Sequence, residues 1–231
     1  PIDAGNGKWK YSVKTFSDVT PGGYGLITVQ KAFEKSSNVA FAKLAVEHYA
    51  NDEKSFVDRI HSMKLMEHFN LDINGEGRAM IFTPEEKQYW SKLALPSMAI
   101  GYGVRVTPLH TLTFYNAIAN GGKMMKPYFI ESFERGGRII KQFEPQELSG
   151  SICSKNTVKQ AQQALRAVVE HGTGKGINDH RYSIAGKTGT ARMVMGKRGY
   201  EDEEGYRRHQ ASFAGYFPAD NAVPPPDPAD D

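Results

Sequence analysis

Residues 185–191 read Ala-Gly-Lys-Thr-Gly-Thr-Ala, a stretch that places one lysine among small and hydroxyl-bearing residues. We interpret it as part of a strand over residues 182–194. Its two glycines carry no Cβ, so a ligand can approach the strand backbone closely. Lys187 can hold a carboxylate, and Thr188 and Thr190 can donate hydrogen bonds to it. A charged hydrogen bond of this kind contributes about 1.5–3 kcal/mol.

The triplet 186–188, Gly-Lys-Thr, also ends the phosphate-binding loop G-x-x-x-x-G-K-[ST]. That loop needs glycine at position 181, where this sequence has Arg181, and a helix after the lysine. Segment 172–176 fails as well, because Gly176 stands where Ser or Thr is required. Segment 101–103, Gly-Tyr-Gly, lacks the third glycine of a dinucleotide-binding motif. The sequence therefore argues against nucleotide binding.

A second polar stretch, Ser36-Ser37-Asn38, separates two segments with helical spacing. Two hydroxyls and an amide in such a turn offer donors and acceptors to a ligand without adding charge. Ser and Asn are also favoured helix N-caps, so a purely structural role remains open for this stretch.

Predicted helices account for most of the first two thirds of the chain. Helical spacing, capping residues and glycine stops place them after Thr28, after Asn38, over 53–65, from Thr83, over 107–120 and over 154–171. Strands are expected over 123–134 and 138–143, joined by Gly136-Gly137, and over 182–194 and 209–217, joined by a charged loop. Residues 1–24 look irregular, and the Pro- and Asp-rich residues 222–231 are expected to be disordered.

Composition excludes several classes of function. The 231 residues carry a net charge of +3, with 29 basic and 26 acidic side chains interspersed, so nucleic-acid binding is not expected. Cys153 is the only cysteine, and the seven histidines show no metal-ligand spacing, so neither a disulfide nor a metal site is expected. No cofactor is expected. We see no signal peptide and no apolar run of about 20 residues that could span a membrane.

In their order along the chain, these motifs resemble those of the class B penicillin-binding proteins. The sequence Ser-Ser-Asn-Val most resembles the division-specific branch of that family. The resemblance runs from about residue 5 to 220 and implies an α/β (α+β) fold of the transpeptidase and serine β-lactamase type, with an antiparallel sheet flanked by helices and a helical subdomain. The matching segments are 35–44 (Lys-Ser-Ser-Asn-Val-Ala-Phe-Ala-Lys-Leu), 101–103, 107–109, 119–122, 172–174 and 186–191.

The resemblance implies a peptidoglycan D,D-transpeptidase that cross-links stem peptides ending in D-Ala-D-Ala and binds β-lactam antibiotics. By resemblance Ser36, Asn38 and Lys187 belong to the catalytic centre. The residues expected to contact substrate are Ser37, Thr188, Gly189 and Thr190, with the Thr190 N–H forming half of the oxyanion hole.

The family's acylated serine lies in a Ser-x-x-Lys motif, and no serine of this chain has lysine three positions on. We therefore expect a transpeptidase domain truncated at both ends, spanning 1–221, with a helical part at about 25–122 and a strand and helix part at about 123–221. Alone it is expected to be inactive. The full-length parent is expected in the inner membrane, with its catalytic domain on the periplasmic face and other division proteins as partners.

Two alternatives stay open on this scaffold. One is a non-catalytic module that binds β-lactams or peptidoglycan, and the other is a hydrolase of the D,D-carboxypeptidase or β-lactamase type. The sequence motifs Ser-Ser-Asn-Val and Ala-Asn-Gly-Gly favour the transpeptidase.

Overall fold

The helices and strands are described from a computed structural model over residues 1–193, 199, 205, 206 and 208–220. The helices are α1 (Val29–Glu34), α2 (Asn38–Tyr49), α3 (Glu53–Ser62), α4 (Ala94–Met98), α5 (Pro108–Ala119) and α6 (Lys155–His171). The strands are β1 (Ile2–Asp3), β2 (Lys8–Tyr11), β3 (Lys14–Ser17), β4 (Leu26–Ile27), β5 (Met80–Ile81), β6 (Val104–Arg105), β7 (Met124–Met125), β8 (Ser132–Arg135), β9 (Arg138–Gln142), β10 (Glu147–Ser149), β11 (Ala185–Arg192) and β12 (His209–Tyr216).

The strands pair antiparallel in twos: β1 with β4, β2 with β3, β5 with β6, β7 with β10, β8 with β9, and β11 with β12. The predicted arrangement of antiparallel strands flanked by helices is confirmed.

Four predicted helix starts are confirmed by their caps. The side chains of Thr28, Ser37, Thr107 and Ser154 each accept a hydrogen bond from the backbone N–H three residues on. Such a bond satisfies one of the N–H groups that the first turn of a helix leaves free, which is why short polar residues fix these starts locally.

The main core lies between the β11–β12 hairpin and two helices. Helix α6 packs on β11, and α5 packs on β12. Buried apolar side chains from α5, α6, β7, β11 and the loop before α6 fill this core: Ala117, Ile118, Met124, Ile152, Leu165 and Ala185. This packing holds β11 against the body of the domain.

The expectation of irregular structure over residues 1–24 is wrong. The β2–β3 hairpin forms there, with Trp9 facing Phe16 at a ring-centroid distance of 5.8 Å. Phe16 is buried, so the hairpin is anchored on the domain rather than free. The strands are four residues long and rich in lysine, so their alternation is too short and too polar to stand out in the sequence.

The helix expected from Thr83 is also absent. Glu86 does accept a hydrogen bond from the Thr83 N–H at 2.8 Å, as in a capping box, but only turns follow. Residues 85–89 are exposed, so this segment has no apolar face to bury, and a cap alone does not sustain a helix.

The strand expected over 123–134 appears only at its ends, as β7 and β8. Pro127 lies between them, and proline cannot donate to a strand ladder. The Gly136-Gly137 turn is confirmed, with φ angles of 60° and 73° that glycine tolerates best. Most of the charged loop before β12 and all of residues 222–231 lie outside the described residues.

Candidate active site

The turn between α1 and α2 presents Ser36 in an unusual backbone conformation. The Ser37 N–H donates to the Ala32 carbonyl and the Ser36 N–H donates to the Phe33 carbonyl, which is the pattern of a Schellman motif. Ser36 therefore has a φ of 53°, in the left-handed region where glycine is the usual residue. A serine held in this conformation is a candidate functional residue.

Ser37 has a structural role. Its hydroxyl is fully buried, donates to the carboxylate of Asp18 at 3.0 Å, and accepts from the Ala40 N–H at 3.1 Å as the cap of α2. Asp18 also accepts from the Val39 N–H at 3.0 Å. We therefore assign Ser37 to the support of the turn, in place of the contact with substrate expected from the sequence.

Asn38 is the first residue of α2 and is half-buried beside the β2–β3 hairpin. Its side-chain N–H donates to the Ser17 carbonyl at 3.0 Å. Among the described residues no group donates to its side-chain oxygen. The amide is thus oriented by β3 while its acceptor stays available.

Lys187 joins the α1–α2 turn to β11. Its ammonium donates to the Ser36 hydroxyl and, at 3.0 Å, to the Thr188 carbonyl. It also lies 5.7 Å from the centroid of the Phe33 ring. Burial lowers the pKa of Lys187 below its ordinary value, because the desolvated ammonium is disfavoured. Over the described ranges no carboxylate forms an ion pair with it.

The glycines of β11 serve the pairing with β12. A Cβ on Gly186 would lie 2.3 Å from the ring of Phe213 and 2.6 Å from the Ala214 carbonyl oxygen, and one on Gly189 would lie 2.5 Å from the Ser212 hydroxyl. Gly186 therefore needs to be glycine for the β12 backbone to approach, whatever a ligand requires, whereas at Gly189 only the Ser212 hydroxyl would have to move. The sequence suggested only the approach of a ligand.

The two threonines of β11 differ in their surroundings. Thr190 is exposed and pairs with Ala211 across the hairpin. Thr188 is half-buried, and its hydroxyl lies 2.6 Å from that of Thr173. The structure thus brings Ser36, Lys187 and Thr188 into one connected group.

Thr173 lies in the candidate site, although the sequence alone did not single it out. It lies in the loop after α6, and its N–H donates to the Glu34 carbonyl at 3.0 Å. Gly172 permits this contact, because a Cβ there would lie 2.4 Å from the same carbonyl oxygen. Segment 172–174 was one of the motifs that resemble the family, so the sequence did point to this segment. The resemblance assigned no role to Thr173.

Within the described part of the chain, no group of three or more His, Cys, Asp or Glu side chains is placed to hold a metal ion. The helices described here include none that is long and apolar enough to cross a membrane.

The family model of the penicillin-binding protein transpeptidase domain matches residues 2–224. Among curated proteins, stage V sporulation protein D of Bacillus subtilis is 30% identical over 202 residues, covering 87% of this chain and 29% of that protein. Peptidoglycan D,D-transpeptidase FtsI of Buchnera aphidicola is 27% identical, covering 84% of this chain and 31% of that protein. The chain thus spans less than a third of the length of these relatives.

Solved structures show the same likeness. Penicillin-binding protein 3 of Mycobacterium tuberculosis in complex with aztreonam superposes with a TM-score of 0.78 at 26% identity, over 95% of this chain and 48% of that one. The same protein in complex with ampicillin gives a TM-score of 0.77 at 25% identity. With a family model that covers nearly the whole sequence, the chain belongs to the penicillin-binding protein transpeptidase domain family.

Proposed function

We propose that this chain supplies the substrate-holding side of a peptidoglycan D,D-transpeptidase site. The observation that carries the proposal is the position of Lys187. Its partly buried ammonium contacts the Ser36 hydroxyl and the Thr188 carbonyl, and no carboxylate of the described residues neutralises it. A desolvated cation among hydroxyl groups is suited to bind the terminal carboxylate of a peptide.

Each group has a definite part in this proposal. Lys187, Thr188 and Thr190 anchor the terminal carboxylate of a D-Ala-D-Ala stem peptide, and Gly189 keeps the backbone between them accessible. Ser36, in contact with Lys187, relays a proton near the leaving nitrogen. The free side-chain oxygen of Asn38 accepts from the peptide N–H.

Acyl transfer also needs a nucleophile and an oxyanion hole. In the proposal the Thr190 N–H forms half of that hole. The nucleophile of the family stands in Ser-x-x-Lys, a motif that these 231 residues do not contain. We infer that this polypeptide alone binds its ligands reversibly and forms no acyl-enzyme.

β-Lactams are proposed ligands of the same groups. A β-lactam ring resembles the acyl group of the peptide, and its carboxylate fits the Lys187 anchor. The aztreonam and ampicillin complexes of the Mycobacterium tuberculosis relative support this proposal. Because peptidoglycan lies outside the cytoplasmic membrane, we propose that the parent protein acts on the periplasmic face of the inner membrane, with other division proteins.

A fluorescent penicillin tests both parts of the proposal on the 231-residue chain. We expect a saturable rise in fluorescence anisotropy that a D-Ala-D-Ala peptide reverses, and no labelled band on a denaturing gel. Absence of anisotropy change would contradict the carboxylate anchor. A labelled band that survives SDS would instead contradict the inference that the chain cannot be acylated.

The absence of Ser-x-x-Lys favours one second candidate, a non-catalytic module that senses β-lactams or peptidoglycan. The full gene product distinguishes the two. Penicillin labelling of that product at a serine outside these 231 residues supports the transpeptidase. Reversible binding by the full product supports the module.

A further inference from the structure

A cleft of about 160 Å³ opens between α4 and the turns that precede it. Its lining includes the aromatic residues Phe82, Tyr89 and Trp90. Two hydroxyl-bearing residues, Ser91 and Ser97, line it as well. This aromatic cleft thus combines flat apolar surfaces with neutral groups that can form hydrogen bonds.

The aromatic rings of the cleft are held in place by their neighbours. The ring of Phe82 stacks on that of Tyr89, with centroids 4.5 Å apart and an angle of 25° between the planes. Trp90 donates its indole N–H to the carboxylate of Glu53 in α3 at 2.5 Å. The backbone N–H groups of Tyr89 and Trp90 both donate to the Glu86 carbonyl, at 2.8 and 3.0 Å. The rings are therefore positioned before any ligand binds.

Tyr89 is 56% exposed although Phe82 covers one face of its ring, so the other face is open to solvent. An apolar surface left in water is one that a ligand can cover favourably. The ligand that suits it has a face of C–H groups to pack on the ring and hydroxyl groups to bond to the serines. A sugar ring has both, and the cleft is of a size to hold one.

Strand β3 connects the aromatic cleft to the candidate active site. Ser97 accepts a hydrogen bond from the Lys14 ammonium at 3.3 Å. At the other end of β3, the Ser17 carbonyl accepts from the Asn38 side chain at 3.0 Å. Three residues of strand, about 10 Å, separate Lys14 from Ser17. An extended peptide of five residues covers about 17 Å, so one that ends at Lys187 is long enough to run past Asn38 toward the cleft.

We propose that the aromatic cleft binds a sugar ring of the glycan strand that carries the stem peptide. The C–H face of the sugar packs on Tyr89, and its hydroxyl groups bond to Ser91 and Ser97. This inference rests on the proposed function, because the carboxylate anchor at Lys187 fixes where the peptide ends. The cleft makes the chain selective for stem peptides that are still attached to their glycan.

Two ligands that end in D-Ala-D-Ala test the sugar site. One is an N-acetylated stem pentapeptide, and the other is the same pentapeptide attached to its disaccharide of N-acetylglucosamine and N-acetylmuramic acid. Their dissociation constants are measured on the 231-residue chain by ligand-observed NMR. We expect the disaccharide form to bind about fivefold tighter, because packing on one exposed ring contributes modestly. The preference should not change with salt, since the contact involves no charge.

Three variants locate the preference. Tyr89→Ala should reduce it to less than about twofold and leave the affinity for the pentapeptide unchanged. Tyr89→Phe keeps the ring and should keep most of the preference. Tyr128→Ala, between β7 and β8, removes another tyrosine that is 45% exposed and should leave the preference unchanged.

Thermal unfolding of each variant shows whether the fold is retained. If Tyr89→Ala does not fold, saturation-transfer NMR on the unaltered chain decides. Irradiation of the aromatic protons of the protein should then saturate the C–H protons of the sugar rings, and absence of that transfer would overturn the stacking.

The outcomes separate the sugar site from the carboxylate anchor. Equal binding of both ligands by the unaltered chain overturns the sugar site and leaves the anchor intact. A preference that persists in Tyr89→Ala overturns the assignment to the aromatic cleft. Failure of both ligands to bind overturns the anchor and, with it, the sugar site.

Discussion

Replacing Lys187 with methionine should separate ligand binding from stability. The ammonium is partly buried and receives no carboxylate among the described residues, so it carries a desolvation penalty in the free protein. Methionine fills similar space without charge. We therefore expect Lys187→Met to unfold at an equal or higher temperature than the unaltered chain.

The same change should weaken binding of a D-Ala-D-Ala peptide. A hydrogen bond between a charged group and a carboxylate contributes about 1.5–3 kcal/mol, and the lower figure applies to an ammonium that solvent still reaches. A loss of about 1.5 kcal/mol corresponds to about a tenfold rise in the dissociation constant. Fluorescence anisotropy with a labelled penicillin, in competition with the peptide, measures it. Lys159→Met, on the exposed side of α6, is the charge-matched control.

The pH dependence gives an independent check. The folded-state pKa of Lys187 lies below the ordinary lysine value of 10.5, so the unfolded chain holds more protons as the pH rises toward 10.5. The unaltered chain should therefore gain stability relative to Lys187→Met over that rise. Binding of the peptide by Lys187→Met as tightly as by the control would contradict the carboxylate anchor, and a loss of stability in Lys187→Met would contradict the desolvation penalty.

Three further changes test the supports of the site. Ser36→Gly should raise the free energy of unfolding by about 0.5–1 kcal/mol, because glycine relieves the left-handed φ at this position. The same change should weaken penicillin binding, and unchanged binding would remove Ser36 from the proposed site. Ser37→Ala should lower the free energy of unfolding by about 1–2 kcal/mol, because it removes the α2 cap and the hydrogen-bond partner of Asp18. Urea unfolding measures this change, and an unchanged free energy would contradict the structural role of Ser37. In the same assay Gly186→Ala should lower the free energy of unfolding by about 2–3 kcal/mol. Gly176→Ala is the control, because a Cβ there meets nothing within 4 Å, and it should change that free energy by less than about 0.5 kcal/mol. Equal effects of the two changes would contradict the close approach of β12 to Gly186.

Local chemistry explains what the sequence predicted. The caps at Thr28, Thr107 and Ser154 bond to N–H groups three residues away, so a short window contains all that is needed. The Gly136-Gly137 turn is equally local. For the same reason the starts of α1 and α2 were predicted within one residue, and α5 and α6 were predicted at close to their observed bounds.

The rest depended on contacts between distant segments. Ser36 and Ser37 are adjacent serines that the sequence alone does not distinguish. The Schellman turn buries the Ser37 hydroxyl against Asp18 and leaves the Ser36 hydroxyl in contact with Lys187. Thr173 reaches the candidate site by contacts with Thr188 of β11, 15 positions further on, and with Glu34 of α1, which is far away in the sequence. The β2–β3 hairpin is likewise held by its buried Phe16.

The bond between Lys187 and Ser36 joins residues that are 151 positions apart. We expect a contact of that separation to form late during folding, because a long loop must close before the contact stabilises anything. A newly synthesised chain can form α1, α2 and α5 while β11 has yet to appear. At that stage it holds the serine of the site but not the lysine. Under the proposed function, binding of a peptide or a β-lactam would report that the C-terminal hairpin has docked, and a ligand present during refolding should trap only the chains in which that hairpin is in place.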